Sequence, residues 1–595
     1  MRSALLPLSI SIFLLLTMTA AAQRPHVPPA WWTEERSAAI LARTETIRLA
    51  PDLSALTPGE QAALQDLVRA GEILHDLYEE ALHHQALAAR ARLDRIDAAL
   101  GHPRQTQNLR LLYRLFKGPV ATTLENRREP FLDVDPQQPG RNVYPLGIGK
   151  DEVDAFIRRN PGRRGEILGE RTVVRRATKE NLGRDLAAMT RHPALDILHP
   201  GLKRRLTVLS GAPDAARLYA VPYAVAWADP LTKAHHLLRS AADKIEPDDP
   251  EFAGYLRNRA RDLLTNDYES GDASWVTGRF GRLNAQIGAY ETYDDALFGV
   301  KAFHGMSLLL KDVEATDELR RALGSLQVIE NSLPYGQKKR VRDEISVGVY
   351  RIIADFGQAR GTNTATILPN DPLYSARYGR TILLRENILR DPGLFAVDQR
   401  VWRASVADAH AGDLLPEGNV QRTLWHEVGH YLGVERDRHG RTLDAALQEW
   451  ADALEEMKAD LVSLFALHRM DHPSLRTIQA SGIRRTLQNA RPRRDQPYQT
   501  MQLAQFNYFL ERGLIEADPQ TTRLTIHYDR YAEVVGSLLE EVLALQYAGD
   551  GDAAGQFFQR WTTWTPELHE RLAERVRQAQ GASRFRIVRY GALGE

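Results

Sequence analysis

Residues 423–433 read TLWHEVGHYLG and residues 447–467 read LQEWADALEEMKADLVSLFAL. In the first stretch His426 and His430 stand four apart, about one helical turn, so both imidazoles leave one face of a helix. Two neutral imidazoles so placed bind one Zn²⁺, and Glu427 beside the first reaches a water there as a general base. The apolar flanks Leu424, Trp425, Val428 and Leu432 bury at least part of this helix. A buried His–Glu–His set without a partner is costly, and a metal supplies one. In the second stretch Leu447, Trp450, Leu454, Met457, Leu461 and Leu464 follow helical spacing and form a packed face. Asp452, Glu456, Asp460 and Ser463 form another stripe, and acids repeating along one face repel unless a cation lies among them. A catalytic zinc site takes three protein ligands and keeps one position open, which assigns Glu456 as the third ligand. Glu455 and Asp460 either orient His426 or His430 through the far ring nitrogen or belong to a solvated face.

Outward from these stretches, the chain is mainly helical with β-like runs. Its 595 residues exceed what one core organises, so two or more lobes are expected. Lys+Arg is 77 and Asp+Glu is 77, a balance that excludes the clustered positive charge of a nucleic-acid protein. Cys is 0, which removes disulfides, thiolate zinc sites, iron–sulfur clusters and cysteine nucleophiles and leaves His, Asp and Glu to hold any metal. Arg2, the apolar run Leu5–Met18 and Ala20-Ala21-Ala22 before Gln23 have the pattern of a secretory signal peptide over 1–22. An exported bacterial protein, placed in the periplasm and without stable membrane insertion after cleavage, is expected. Thr57-Pro58-Gly59-Glu60 reads as a capping box opening a helical stretch over 57–100. Residues 248–266 and 311–330 have helical spacing too, while 135–149 and 267–289 read as breaks. Runs at 214–227, 343–356 and 380–385 read as β-like. Tyr290 and Tyr293 are either oxyanion donors or core and cap residues.

HEVGH followed by ALEEMKADLVSLFAL resembles the dipeptidyl-peptidase III family of zinc peptidases, in the shorter-motif branch found in bacteria and fused to a Nudix domain in plants. Residues 287–299 (IGAYETYDDALFG), 367–371 (ILPND), 502–512 (QLAQFNYFLER) and 49–69 (LAPDLSALTPGEQAALQDLVR) also resemble that family's blocks, in order. The resemblance implies an α+β, mainly helical fold of two lobes around a cleft. A helical zinc-bearing lobe would take 306–364 and 401–549. A mixed lobe with a β-barrel-like core would take 23–305, with later contributions from about 365–400 and 550–595. It implies one Zn²⁺ on His426, His430 and Glu456, and Glu427 as the acid/base. It matches Glu455 to an acidic neighbour of the ligand, and makes Asn370, Glu291, Tyr293 and Tyr498 substrate contacts. The expected activity is hydrolysis of oligopeptides with release of amino-terminal dipeptides; the oligomeric state stays open.

The chain also departs from the family. Its zinc motif has five residues where the classical enzyme has six. Asn284 and Gln286 occupy the places of a Glu and a Tyr that anchor the substrate's amino terminus and reacting carbonyl, and Ile367 replaces an Asn. No His lies between His472 and His527, where the family uses one to assist the transition state, although Tyr498 is available. Two alternatives follow: a zinc hydrolase of different amide or acyl specificity, or a non-catalytic peptide-binding protein on the same scaffold.

Overall fold

The computed structural model describes residues 26–341, 346–359, 364–368, 372–493 and 495–595. The leader expected over 1–22 lies outside them, as does Asn370. Among the described residues no helix is long and apolar enough to cross a membrane.

The capping box at Thr57 forms: the hydroxyl accepts from the amide of Glu60, and the Glu60 carboxylate accepts from the amide of Thr57 at 2.8 Å. It opens helix α1, Pro58–Leu82, whose buried stripe includes Leu67, Leu74 and Leu77. This helix lies on a five-stranded sheet made of β1 (Leu283–Ala289), β2 (His304–Asp312), β3 (Ser346–Gly357), β4 (Ala365–Leu368) and β5 (Thr381–Arg385). The spatial order is β1-β2-β3-β5-β4. The β3–β5 pair is parallel, with Ile382 opposite Val347, and the other pairs are antiparallel. Side chains alternate across a strand, so the sheet feeds two cores at once. Leu383 packs into a first core with α1, whereas Ile382, Leu384, Val347 and Val349 pack into a second. Burial on both faces explains why β3 reads SVGVYRIIADFG rather than as a polar–apolar alternation.

The expected fold class holds: a mixed, mainly helical chain in two lobes. The barrel-like core of the mixed lobe is, among the described residues, an open sheet, because β1 and β4 sit at opposite edges and do not pair. Closure needs strands tilted and staggered around a full circle, and here both faces of the sheet are already covered.

The second core is helical, gathered from residues 319–576 with the β3 and β5 side chains above. A small third core joins residues 31–132 around Trp31, Trp32 and Phe131. The chain's last strand, Phe585–Tyr590, pairs in parallel with Thr44–Leu49. Two local readings change. Residues 267–289, read as a break, hold helix Glu269–Thr277 and β1. The 311–330 stretch splits into helices Val313–Leu323 and Leu326–Ser332 around Gly324.

Candidate metal centre

Four helices of the second core build the centre: α2 (Pro416–Gly429), α3 (Ala451–Arg469), α4 (Leu475–Thr486) and α5 (Pro497–Glu511). Pro416 opens α2 with the fixed φ that suits a first turn. Helix α2 packs on α3 and α4, and β4 of the sheet runs beside it. The α2–α3 crossing is set at Gly429. A Cβ there would lie 2.6 Å from the carbonyl oxygen of Ala459 and 2.9 Å from its Cα. Glycine weakens a helix interior by roughly 0.5–1 kcal/mol, a cost that close backbone approach explains here. The approach lays the His426–His430 face over the Glu456 turn of α3.

One ligand atom each from His426, His430 and Glu456 lies within 4.8 Å of the other two. The two imidazoles stand nearly perpendicular, at 85°, with ring centroids 4.9 Å apart. Glu456 Oε2 lies 3.1 Å from His426 Nε2 and 3.9 Å from His430 Nε2. That oxygen is buried and has no hydrogen-bond partner among the described residues. The other carboxylate oxygen of Glu456 accepts from the Tyr498 hydroxyl at 2.9 Å.

The far ring nitrogens are both taken. His426 Nδ1 lies 2.7 Å from Asp460 Oδ1, and His430 Nδ1 lies 2.8 Å from Glu455 Oε1. Each imidazole thus keeps its Nδ1 proton on a carboxylate and turns Nε2 towards Glu456. Asp460 in turn accepts from Arg422 at 3.3 Å and from Arg485 at 2.9 Å. Burial opposes its charge, but Arg485, His426 and Arg422 outweigh it and hold its carboxyl well below the ordinary range. Burial likewise opposes the charge on Glu455, yet Lys458 and His430 bring it down to about 2. Burial works against a proton on His426, but Asp460 and Glu456 push it up to about 9.

Glu427, between the two histidines, is half-buried, and among the described residues no donor engages its carboxylate. Tyr498, 49% exposed, is held above its usual pKa first by burial and then by Glu456, with Glu427 adding to the effect. It therefore stays protonated beside both acids. Asp452 of the acidic stripe is exposed, and Ser463 bonds the carbonyl of Arg422 instead.

Glu291 and Tyr293 do not join this group. They line a hollow of about 70 Å³ on the sheet, with Gln286, Thr366 and Arg385. Burial raises the Glu291 carboxyl. Gln286 accepts from Arg385 at 2.9 Å. Asn284 is only 4% exposed and is bonded to the Trp275 indole and the Tyr350 hydroxyl, both at 2.9 Å. Tyr290, half-buried, lines the same hollow and donates its hydroxyl to Asp272.

Sequence reasoning did not reach Arg422, Arg485, Lys458 or the crossing glycine. Gly429 inside a helix was a legible signal, and so was a lysine at 458 between the buried positions Met457 and Leu461. Arg485 lies on another helix and gives no local sign.

No protein-family model matches the chain. The chain is 24% identical to Nudix hydrolase 3 of Arabidopsis thaliana over 596 residues, covering 92% of this chain and 73% of that protein. Among solved structures it is similar to dipeptidyl-peptidase III of Caldithrix abyssi, with a TM-score of 0.77 and 22% identity over 94% of this chain and 99% of that one. It is also similar to dipeptidyl-peptidase III of Corallococcus sp. strain EGB, with a TM-score of 0.69 and 22% identity over 95% and 98% of the two chains. The resemblance read from the motifs therefore extends along nearly the whole chain, and the protein has the two-lobed fold of the dipeptidyl-peptidase III structures.

Proposed function

We propose that the protein is a zinc peptidase acting on short peptides, with release of amino-terminal dipeptides as its expected specificity. The observation that carries this reading is the buried, unbonded Glu456 Oε2 facing two Nε2 atoms whose partner nitrogens are already fixed. Three inward donors without a common partner fit one cation, and two imidazoles with one carboxylate form a catalytic zinc set. Held by His426, His430 and Glu456, zinc would supply a Lewis acid that polarises the scissile carbonyl and acidifies a water.

The protein's own groups do the rest. Glu427 takes the proton of the attacking water on its free carboxylate and returns it to the leaving nitrogen. Tyr498 holds Glu456 by one oxygen and leaves the other for the metal. Its one hydroxyl proton can swing from Glu456 to the oxyanion that forms. Glu291 is the group we place against the free ammonium of the peptide, with Tyr293 beside it. Asn370 is proposed to hold peptide backbone. An exported protein cleaving oligopeptides, with no nucleic-acid partner, fits this chemistry and the leader.

A second reading has its own observation. Asn284, which takes the place of a family anchor, is buried and bonded through both ends of its amide to Trp275 and Tyr350. That favours a zinc hydrolase cutting at other bonds. A defined mixture of short peptides, incubated with zinc-loaded protein and read by mass spectrometry, separates the readings, with Glu427→Gln alongside. Amino-terminal dipeptides released only by the wild type support the first reading, and other cuts support the second. Equal hydrolysis by Glu427→Gln, or none by zinc-bearing wild type, sinks both.

A further inference from the structure

Lys458 is 1% exposed on α3, two residues after Glu456. A buried ammonium is costly unless all three of its protons find acceptors. Here they do. Lys458 Nζ lies 3.0 Å from the carbonyl of Gly429, 2.9 Å from that of Leu432 and 2.8 Å from Glu455 Oε1. The Gly429 carbonyl ends the helix that carries His426 and the Leu432 carbonyl lies in the turn just past His430, so the cation also complements the helix dipole. The carboxylate oxygen is the one that His430 Nδ1 bonds at 2.8 Å. One ammonium thus touches the backbone on both sides of His430 and the acid that orients its ring. The next residue of that turn is pinned as well, since the amide of Gly433 donates to the buried Glu330 at 2.8 Å.

The two imidazoles are supported unequally. Asp460, behind His426, is held by two guanidiniums from α2 and α4. Glu455, behind His430, has Lys458 as its charged partner besides His430, plus a long bond from Gln546 at 3.3 Å.

We propose that Lys458 is the positioning residue for His430: it fixes the Glu455 carboxylate and the helix end together, so that His430 Nε2 stays aimed at Glu456. This rests on the zinc reading above. Removing the ammonium leaves Glu455 free to turn away and the His430 ring free to rotate, while His426 keeps its own support.

The test is a cycle of full-length proteins, wild type, Lys458→Met, Glu455→Gln and the double variant, with zinc affinity measured by chelator competition. Loss of such an outer partner typically weakens metal binding about 10–100-fold. Lys458→Met should fall in that range. The double variant should be no weaker than Glu455→Gln alone, because both changes break one chain of contacts. In zinc-free protein the downfield NMR signal of the His430 Nδ1 proton should be lost in Lys458→Met, while that of His426 remains. Wild-type affinity in Lys458→Met, or losses that multiply in the double variant, would overturn the proposal. Should Lys458→Met alone fail to fold, the comparison of the double variant with Glu455→Gln decides, since no buried carboxylate is then left without its cation. A wild type that binds no zinc overturns the metal reading and this proposal with it. Zinc bound equally by wild type and Lys458→Met overturns only the role of Lys458.

Discussion

The metal-side helices and the sheet face beside them handle polar groups in opposite ways. Around His426 and His430 every outward nitrogen is bonded, and the unmet need is concentrated at one inward point, Glu456 Oε2. On the sheet, polar side chains are instead paired with neighbours: Asn284 serves Trp275 and Tyr350, and Gln286 serves Arg385. Glu291 is the acid in that hollow whose carboxylate has no hydrogen-bond partner among the described residues. The contrast teaches that two regions of one chain can satisfy their buried polar groups in opposite ways. A metal set tolerates no rearrangement, because three donors must converge. A recognition face tolerates it as long as each buried polar atom finds a partner.

The contrast can be broken most severely from the metal side. Glu427→Gln should bind zinc like the wild type yet lose about 10²–10⁴ in kcat, the usual span for a general base. Full activity would remove the metal side from the comparison. Gly429→Val comes next. Its branched side chain would meet the Ala459 backbone, where even a Cβ lies at 2.6 Å, and would drive α2 from α3. We expect a loss of about 1–3 kcal/mol in stability, as for other overpacked contacts, together with loss of stoichiometric zinc. Unchanged zinc content would show that the crossing does not set the ligand geometry.

The sheet face yields to the opposite kind of test. Asn284→Glu restores the residue type of the family at that place. Because the position is 4% exposed, the new carboxylate would be buried against Trp275 and Tyr350 rather than offered to a peptide. The expected result is destabilisation of about 1–3 kcal/mol with no gain in amino-terminal selectivity. A gain in selectivity would mean that strand β1 can turn that side chain outward. Glu291→Gln should leave the fold intact and raise KM about tenfold for peptides with a free amino terminus, a change worth about 1.4 kcal/mol. Amino-terminally acetylated peptides should respond less, and equal responses would remove Glu291 from recognition.

The legibility of the two regions in the sequence differs for the same physical reason. His426, His430 and Glu456 could be picked out because a metal set on helices obeys fixed spacing, and their convergence is local to two nearby segments. Asp460 followed from the same periodicity and Glu455 as the neighbour of Glu456, and their partners are His426 and His430 respectively. Arg485 was invisible because it reaches Asp460 from a third helix, and no spacing rule links positions 25 apart. The sheet was half legible. β3 and β5 showed as apolar runs, whereas β1 hid inside a stretch whose glycines at 271, 278, 281 and 288 read as breaks. Its role depends on long-range pairing with β2, which periodicity cannot see. The open edges that replace the expected barrel are likewise a property of pairing rather than of any one strand.

Tyr498, on helix α5 beside Glu456, gives the smallest effect. It bonds the acid Glu456 at 2.9 Å and exposes about half of its side chain. Tyr498→Phe removes one hydrogen bond to a solvent-accessible partner, worth about 0.5–1.5 kcal/mol. If the hydroxyl only steadies Glu456, the loss should fall on zinc affinity, about two- to tenfold, with kcat kept once the site is saturated with metal. If its proton swings from Glu456 to the developing oxyanion, kcat should fall by a similar factor at saturating zinc while KM holds, because the interaction then exists only in the transition state. A variant that matches the wild type in zinc affinity, kcat and KM would assign Tyr498 to neither region, leaving Glu456 held by the metal alone.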